Sequence, residues 1–233
     1  SRLEDVRSFA RSLGGCPANV AVGAARQGLR VGMLTRVGDE ALGRFVLEEL
    51  QREGVDTSQV KTDPDRLTGL VFLSILGRDR FPLVFFRERC ADMGLSAEDI
   101  DESYIARAQA VLLTGTHLSI ETTRAASRAA MEAAHASNTK VVLDVDYRPV
   151  LWGLTGKGDG ESRYVESKRV TEVLQDFLPG CDLVVGTEEE LRIAGGEEDV
   201  EAAVQKVRAL SQAPVVLKTG AHGCKIFDDL ADA

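Results

Sequence analysis

The sequence predicts an α/β fold with a mostly parallel sheet. From Ala110 onward, segments typical of buried strands alternate with segments typical of helices, and parallel strands need such crossovers between them. The 233 residues are 44% hydrophobic and 28% charged, which is enough for one substantial core. Two β-rich runs separated by a polar turn indicate a hairpin. We therefore predict a single α/β domain over residues 1–233, with a projecting β hairpin.

The first predicted elements are a helix, a strand and a second helix. Small apolar residues predict a helix over Ala18–Gln27, which Gly28 ends, and VGMLTRV predicts a buried strand over Val31–Val37. Glu40–Glu53 has apolar residues at helical spacing and is followed by Gly54, so we expect an amphipathic helix there.

The hairpin is predicted from two runs rich in β-branched and aromatic residues. TGLVFLSIL at Thr68–Leu76 and FPLVFFR at Phe81–Arg87 are joined by GRDR at residues 77–80.

From Ala110 onward, predicted strands alternate with predicted helices, as expected for a parallel sheet. Its strands are predicted at 111–115, 141–146, 181–186, 214–220 and 223–227, and its helices at Glu121–Ala136, Arg169–Leu178 and Val200–Leu210.

Charge and motif content exclude several classes of function. The formal net charge of -9 and pI of about 5.0 argue against nucleic-acid or anionic-membrane partners. No apolar run approaches the roughly 20 residues that span a bilayer, so we expect a cytoplasmic protein with a small-molecule partner. Neither a P-loop nor a dinucleotide-binding glycine motif occurs. The cysteines and histidines are too scattered for a metal site: Cys16, Cys90, Cys181, Cys224, His117, His135 and His222.

The segment Gly14–Asn19 (GGCPAN) leads directly into the first predicted helix. Paired glycines let a backbone approach a ligand closely, and the Asn19 amide both donates and accepts hydrogen bonds. On these six residues alone, an ordinary loop before a helix is the favoured interpretation.

The spacing beyond this segment is more specific. GG-x-P-x-N-x-A, followed by Gly28, Gly38 and VGDEALG, resembles the N-terminal signature of the ribokinase (PfkB) family of carbohydrate kinases. The resemblance implies a ribokinase-like α/β fold, in which helices cover both faces of a mostly parallel central sheet and a small β lid projects. It also implies that Gly14, Gly15 and Asn19 bind sugar hydroxyls.

A second element of the resemblance is Asp144–Pro149 (DVDYRP), followed by Leu-Trp. It is similar to the DxNxRPxLW element of 2-keto-3-deoxygluconate kinases, with Asp146 in place of asparagine. At the end of a predicted strand it would face the crevice where open α/β sheets bind ligands. The resemblance implies that Asp146 and Arg148 bind substrate, and Arg148 suits a phosphate or a carboxylate. A surface ion pair between Arg148 and a nearby acid is the alternative, which the context of the motif disfavours.

Two further elements resemble the family's nucleotide-binding segments. Gly186–Glu190 (GTEEE) matches an N-x-x-E element, which implies that Thr187 contacts the nucleotide and that Glu190 acts on Mg²⁺ through water. An acidic helix N-terminus explains the same residues. The turn Lys218–Gly223 (KTGAHG) resembles a K-x-G-x-x-G element and implies ATP contacts by Lys218, Gly220 and Gly223. A tight turn between strands is the simpler interpretation.

The sequence of the predicted lid narrows the range of possible substrates. FPLxFxR before the central domain resembles the lid of 5-dehydro-2-deoxygluconokinases of inositol catabolism, which implies that Arg87 points toward an acidic sugar. An edge-strand charge that discourages aggregation is the alternative role for Arg87. 2-Keto-3-deoxygluconate kinase or fructokinase activity remains open. Because lids of this family often pack into dimers, a homodimer through the lid also remains open.

The family's catalytic base lies in a GAGD turn, and no GAGD occurs in these 233 residues. We therefore assign no catalytic residue and expect the chain to be truncated at both ends, with this chain alone inactive. The full-length protein is expected to use ATP and Mg²⁺. A non-catalytic sugar-binding or regulatory protein of the same fold is the rival from another class.

Overall fold

A computed structural model describes residues 3–76 and 81–228. These residues divide into two compact units, one formed by Ser1–Asp99 with Gly156–Glu161 and the other by Ile100–Thr155 with Ser162–Ala233. The prediction of a single domain over residues 1–233 stays a prediction. No helix of the described part is long and apolar enough to cross a membrane.

The described part of the first unit contains two α-helices and four strands. In chain order they are α1 (Cys16–Arg26), β1 (Gly32–Gly38), α2 (Ala41–Arg52), β2 (Asp56–Asp63), β3 (Leu70–Leu73) and β4 (Leu83–Phe86). β1 and β2 pair in parallel, and β3 and β4 pair antiparallel as a separate two-stranded sheet. The predicted hairpin is confirmed, although only four residues of each strand pair. Its GRDR turn lies outside the described residues.

The core of this unit lies between α1, α2 and β1. Ala21, Met33, Leu50 and Val55 are buried there together. Gly43 on α2 is part of this packing, because a Cβ on it would lie only 2.0 Å from the backbone oxygen of Gly38. The second half of the family signature is therefore explained by close packing of α2 on the end of β1.

Strand β2 was not predicted, and its sequence explains why. DTSQVKTD has neither an apolar run nor a strict alternation of apolar and polar residues. Its pairing with β1 uses backbone groups, so polar side chains are compatible with it. The ladder runs from Leu34 opposite Gln59 to Gly38 opposite Asp63.

Gly23 occupies an exposed position in the interior of α1, where a Cβ would meet no atom within 4 Å. Alanine at a helix interior is more favourable than glycine by about 0.8–1.0 kcal/mol. We expect Gly23→Ala to raise the free energy of unfolding by about that amount, measured by chemical denaturation. A lower value for the variant would show that this part of α1 is not a free helix surface.

An ion-pair network ties the end of β2 to the residues that follow the hairpin. Arg36 on β1 donates from Nε and NH2 to Asp99 at 2.8 Å each and from NH1 to Asp63 at 3.1 Å. Asp63 also accepts from the backbone N–H groups of Asp65 and Arg66, both at 3.0 Å. Burial by itself would raise the pKa values of Asp63 and Asp99. Hydrogen bonds to backbone N–H groups and to Arg36 outweigh it and hold both pKa values below their usual range.

This network predicts acid-sensitive stability. Because the folded-state pKa values of Asp63 and Asp99 are lowered, their stabilising contribution is complete above the unfolded-state values and disappears as the pH falls through the folded-state values. We expect the free energy of unfolding to decline below about pH 4–5. Arg36→Met should unfold more easily at neutral pH and show a shallower decline in acid. If the free energy of unfolding declined equally steeply in acid for the two proteins, Arg36 would not be what lowers the pKa values of Asp63 and Asp99.

The second unit contains five helices and five strands in its described part. In chain order they are α3 (Glu102–Ile105), β5 (Ala110–Thr114), α4 (Glu121–Ala136), β6 (Lys140–Asp144), α5 (Lys168–Phe177), β7 (Leu183–Thr187), α6 (Glu188–Gly195), α7 (Val200–Ser211), β8 (Val215–Lys218) and β9 (Cys224–Phe227). The strands form one sheet in the order β5-β6-β7-β8-β9. β5 to β8 are parallel and β9 is antiparallel to β8. The predicted mostly parallel sheet with helices is confirmed.

The core of the second unit is the apolar sheet covered by its helices. Val141, Leu143, Val184 and Val215 of the strands are fully buried, as is Phe177 of α5. Strands that are buried in this way read as continuous apolar runs, which is why their positions were predictable to within about two residues. The packing leaves the polar residues that follow these runs at the carboxyl ends of the strands.

Candidate active site

Polar and charged side chains collect where four neighbouring strands of the second unit end. Thr114, Asp144, Thr187 and Lys218 are the last residues of β5, β6, β7 and β8 respectively. Because these strands are parallel, their carboxyl ends meet at one edge of the sheet, where open α/β folds bind ligands.

Lys218 joins two carboxylates at this edge. Its Nζ lies 3.0 Å from Oδ1 of Asp144 and 3.3 Å from Oε2 of Glu190. Both carboxylates are buried, whereas the Lys218 side chain is 38% exposed. Burial would lower the pKa of Lys218, but attraction to Glu190 and then Asp144 outweighs it and raises the pKa. The ammonium is thereby kept charged between two acids.

Glu190 is held at the start of α6 by a capping box. The backbone N–H of Thr187 donates to Glu190 Oε2 at 2.8 Å, and the N–H of Glu190 donates to the Thr187 hydroxyl at 3.4 Å. The threonine that departs from the family's asparagine thus has a local role as helix cap. Burial raises the pKa of Glu190, with Lys218 opposing the rise.

Arg148 links Glu190 to Asp146. Its NH2 lies 3.2 Å from Oδ1 of Asp146, and its NH1 lies 3.7 Å from Oε1 of Glu190 and donates to the backbone oxygen of Tyr147 at 3.2 Å. Asp146 has a left-handed backbone, with φ of 32°, and accepts from the Thr114 hydroxyl at 3.2 Å. Arg148 thus forms ion pairs with nearby acids, the alternative role that the sequence left for it, and these ion pairs lie at the ends of the strands.

Five residues therefore form one connected group, which we name the strand-end cluster: Asp144, Asp146, Arg148, Glu190 and Lys218. Of the predicted site residues, the cluster contains Asp146, Arg148, Glu190 and Lys218, and Thr187 is bonded to Glu190 as the N-cap of α6. Thr114 and Tyr147 also support it, although sequence reasoning gave neither of them a role. The sequence did carry a signal for each residue. Thr114 ends an apolar strand, and Tyr147 lies inside the DVDYRP element.

Tyr147, which directly precedes Arg148, anchors a later segment of the chain. Its ring is almost completely buried, and its hydroxyl donates to the backbone oxygen of Val165 at 2.6 Å. Burial raises the pKa of Tyr147 to about 12, so the hydroxyl keeps its proton and remains a donor. The guanidinium of Arg192 packs over the neighbouring Tyr164 ring, 4.6 Å from its centroid. Residues 164 and 165 are thus fixed at two points.

The turn between β8 and β9 contains the two glycines of the K-x-G-x-x-G resemblance. Gly220 and Gly223 have φ of 60° and 88°, and no described atom lies within 4 Å of an added Cβ on either. The Thr219 N–H donates to the backbone oxygen of Gly223 at 2.9 Å and closes the turn. Both glycines are required by the backbone conformation. Their predicted contact with ATP stays a prediction.

The remaining predicted site residues belong to the first unit. Gly14 and Gly15 border open space, Gly15 has φ of 92°, and the exposed Asn19 is in the first turn of α1, its N–H donating to the Gly15 backbone oxygen at 3.0 Å. Arg87, directly after β4, forms an ion pair with Asp92 and contacts the Met93 sulfur at 3.4 Å.

Among residues 3–76 and 81–228, no three His, Cys, Asp or Glu side chains are grouped to hold a metal ion. Oε2 of Glu190 already accepts from the Thr187 N–H and lies beside Lys218. Direct coordination of a metal ion by this oxygen would have to displace the Thr187 N–H and Lys218. The geometry fits an indirect role, since protein-bound Mg²⁺ usually keeps several of its waters.

Comparison with known proteins agrees with this architecture. The family model for "pfkB family carbohydrate kinase" matches residues 1–232. The 5-dehydro-2-deoxygluconokinases of Geobacillus kaustophilus (strain HTA426) and Bacillus subtilis (strain 168) are 35% and 32% identical over 227 residues. Each alignment covers 95% of this chain and 64% or 65% of the relative. The chain thus spans slightly less than two thirds of the length of these relatives.

Solved structures show the same fold. A PfkB protein from Polaromonas sp. JS666 has a TM-score of 0.85 and 30% identity, covering 99% of this chain and 74% of that chain. Fructokinase from Vibrio cholerae O395, in its fructose, ADP and calcium ion bound form, has a TM-score of 0.77 and 25% identity. The match covers 92% of this chain and 65% of that chain. The fold, the strand-end cluster and the family match lead to one conclusion: the chain belongs to the pfkB family of carbohydrate kinases.

Proposed function

We propose that the gene product carrying this chain transfers a phosphoryl group from ATP to a hydroxyl of a sugar acid, with 5-dehydro-2-deoxy-D-gluconate as the substrate. The observation that carries the proposal is the strand-end cluster, in which buried acids and partly exposed basic side chains occupy the ligand-binding edge of a parallel sheet. The named activity of the relatives at 32–35% identity supports the choice of sugar.

The roles divide between the two units. Gly14, Gly15 and Asn19 bind sugar hydroxyls, supported by the open space beside both glycines and the exposure of Asn19. Arg87 binds the carboxylate of the acid, which would require it to exchange its ion pair with Asp92. Asp146 orients the substrate together with Arg148.

The nucleotide side consists of Thr187, Lys218, Gly220 and Gly223, with Glu190 ordering the hydration shell of Mg²⁺. When bound, Mg²⁺ would neutralise charge on the transferring phosphates. The chain's own residues keep Glu190 in place, since Lys218, Arg148 and the Thr187 cap surround its carboxylate. The catalytic base is assigned to no residue of this chain.

We also propose that the protein forms a homodimer through the lid, which consists of β3 and β4. Val71, Leu73 and Phe86 on this hairpin are 37%, 52% and 54% exposed, an apolar surface that a second copy would cover. Sedimentation analysis should give a dimer for the wild type and a monomer for Leu73→Asp. A dimer that survives this substitution would place the interface elsewhere.

The activity is tested by Mg²⁺-dependent ATP turnover of the complete gene product. The substrates are 5-dehydro-2-deoxygluconate, 2-keto-3-deoxygluconate, fructose and ribose. We expect 5-dehydro-2-deoxygluconate to be turned over in preference to the other three. Preference for another sugar would support the proposed kinase activity but change the proposed substrate. Sugar binding without turnover of any sugar would overturn the proposal in favour of a sugar-binding or regulatory protein.

A further inference from the structure

Two buried threonines beside the strand-end cluster have no role in the family resemblance. Thr114 is the last residue of β5, and Thr116 follows two positions later. Their side-chain hydroxyls lie 3.0 Å apart, and the Thr114 hydroxyl lies 3.2 Å from Oδ2 of Asp146. Both threonines are almost completely buried, as is Asp146. Three polar side chains are therefore joined in a row inside the protein, which we name the hydroxyl row.

The direction of the hydrogen bonds in the hydroxyl row follows from the chemistry of its groups. The carboxylate of Asp146, which is paired with Arg148, only accepts, so Thr114 donates its single hydroxyl proton to it. Thr114 then has no proton left for the other contact and must accept there, which makes Thr116 the donor. The row thus runs from Thr116 through Thr114 to the carboxylate. Hydrogen bonds aligned in this way strengthen one another where water is excluded.

Asp146 depends on its neighbours because its backbone is strained. Its φ of 32° lies in a region that residues with a side chain rarely occupy, and keep only where surrounding contacts hold them. The Thr114 hydroxyl holds one carboxylate oxygen, and NH2 of Arg148, 3.2 Å away, holds the other. The Arg148 side chain is 25% exposed. The hydroxyl row therefore ends at the buried acid that fixes a partly exposed guanidinium.

The hydroxyl row also gives a reason for an acid at the position where the family element has asparagine. Both groups that face the side chain of residue 146 donate, namely the Thr114 hydroxyl and the Arg148 guanidinium. A carboxylate accepts from both. An asparagine amide has one acceptor and one donor, so its NH2 group would oppose a donor unless the row reversed its direction. The two threonines and Asp146 thus form one matched set.

We propose that Thr114 and Thr116 are positioning residues, which hold Asp146, and through it Arg148, in the orientation that binds the sugar acid. The inference rests on the proposed function, in which Asp146 and Arg148 orient the substrate. Neither threonine touches the substrate, and both act through the carboxylate. Loss of their hydroxyls therefore weakens binding of the sugar acid and leaves binding of ATP unchanged.

The test compares threonine variants of the complete gene product by calorimetric titration with 5-dehydro-2-deoxygluconate and by steady-state kinetics. Thr114→Val nearly keeps the shape and removes the hydroxyl. We expect it to raise the Kd and KM for the sugar acid about 10-fold, with the KM for ATP unchanged. Thr116→Val should raise the same constants about 3-fold, because it weakens the row without breaking the contact with Asp146. Thr114→Ser keeps a hydroxyl and should behave as the wild type.

The matched control is Thr139→Val. Thr139 is also buried, directly precedes β6, and donates from its hydroxyl to the backbone oxygens of Ile105 and Ala108 at 3.1 and 3.2 Å. This variant loses buried hydrogen bonds at the amino end of the strand, away from the strand-end cluster. It should be less stable than the wild type and keep wild-type KM values for both substrates.

Equal changes in the KM for the sugar acid and for ATP, or the same sugar-acid Kd for Thr114→Val and Thr139→Val, would overturn the inference. An impaired Thr114→Ser protein would also overturn it, since the hydroxyl would then not be the decisive group. Should Thr114→Val fail to fold, Thr116→Val decides by the same comparisons. A wild-type protein that binds the sugar acid without phosphorylating it would instead overturn the proposed function, and the Kd values alone would then decide the inference. A wild-type protein that does not bind the sugar acid would overturn both.

Discussion

Lys218→Met is expected to lower both the stability of the protein and the proposed kinase activity of the complete gene product, because it removes the cation shared by two buried acids. Asp144 and Glu190 lie 3.0 and 3.3 Å from the ammonium, and both carboxylates would be left close together without it. Breaking a buried ion pair costs about 3–5 kcal/mol. Since the Lys218 side chain is 38% exposed, water would screen part of the charge, and we expect a loss of about 2 kcal/mol.

The effect on activity follows from the position of Glu190. Without Lys218, the already raised pKa of Glu190 would rise further, and a protonated carboxyl orders metal-bound water poorly. We expect turnover by the complete gene product to fall about 10- to 100-fold, as for other residues that support a ligand indirectly. Turnover should recover in part at higher pH, where Glu190 is again ionised.

The matched control for this variant is Lys225→Met, which removes an exposed lysine from the adjacent strand β9. It should leave both the free energy of unfolding and the turnover close to wild type. A second variant, Lys218→Met with Asp144→Asn, should regain part of the lost stability, because one of the two carboxylates that lose the ammonium is made neutral. Wild-type stability and activity for Lys218→Met would contradict the role of the ammonium between the two acids.

Gly115→Ala is expected to disturb the same edge of the sheet through the backbone. Gly115 directly follows β5, and a Cβ on it would lie 2.0 Å from the carbonyl oxygen of Val145, just beyond the end of β6. The contact is with backbone, so no side chain can rotate away, and the ends of the two strands must separate. We expect a loss of about 2–3 kcal/mol in the free energy of unfolding.

The separation should also reach the site, since Thr114 donates to Asp146 across these two strand ends at 3.2 Å. Turnover by Gly115→Ala should therefore fall even at temperatures where the protein remains folded. Gly158→Ala is the control, because a Cβ at Gly158 meets no atom within 4 Å. Denaturation and initial-rate measurements on both variants check the prediction, and a Gly115→Ala protein as stable as Gly158→Ala would refute the close contact.

Much of the fold could be predicted because burial leaves a direct pattern in the sequence. The helix at Glu121–Ala136 was predicted with the bounds that the structure shows, and the parallel strands were recognised as apolar runs. Strand β2 was missed, since its pairing depends on backbone groups and on the neighbouring β1. The short strands of the lid were predicted too long, because the extent of a hairpin depends on how many backbone pairs form.

The candidate site was predicted less completely than the fold. Asp146, Arg148, Glu190 and Lys218 were identified through their motifs, and the structure brings them into one cluster. The motifs did not reveal what each contacts. Lys218 was expected to contact the nucleotide, and its ammonium lies between two acids, a position that leaves the predicted contact untested.

By itself, the sequence determined the family, the order of most elements and the residues that crowd the ends of the strands, because these properties depend on local composition and spacing. Only the tertiary structure decided which of those residues meet. The bond from Tyr147 to Val165 spans 18 positions, and the ion pair of Lys218 with Asp144 spans 74. Their energies depend on burial and on distances across the sheet, and neither quantity has a local signature in the chain.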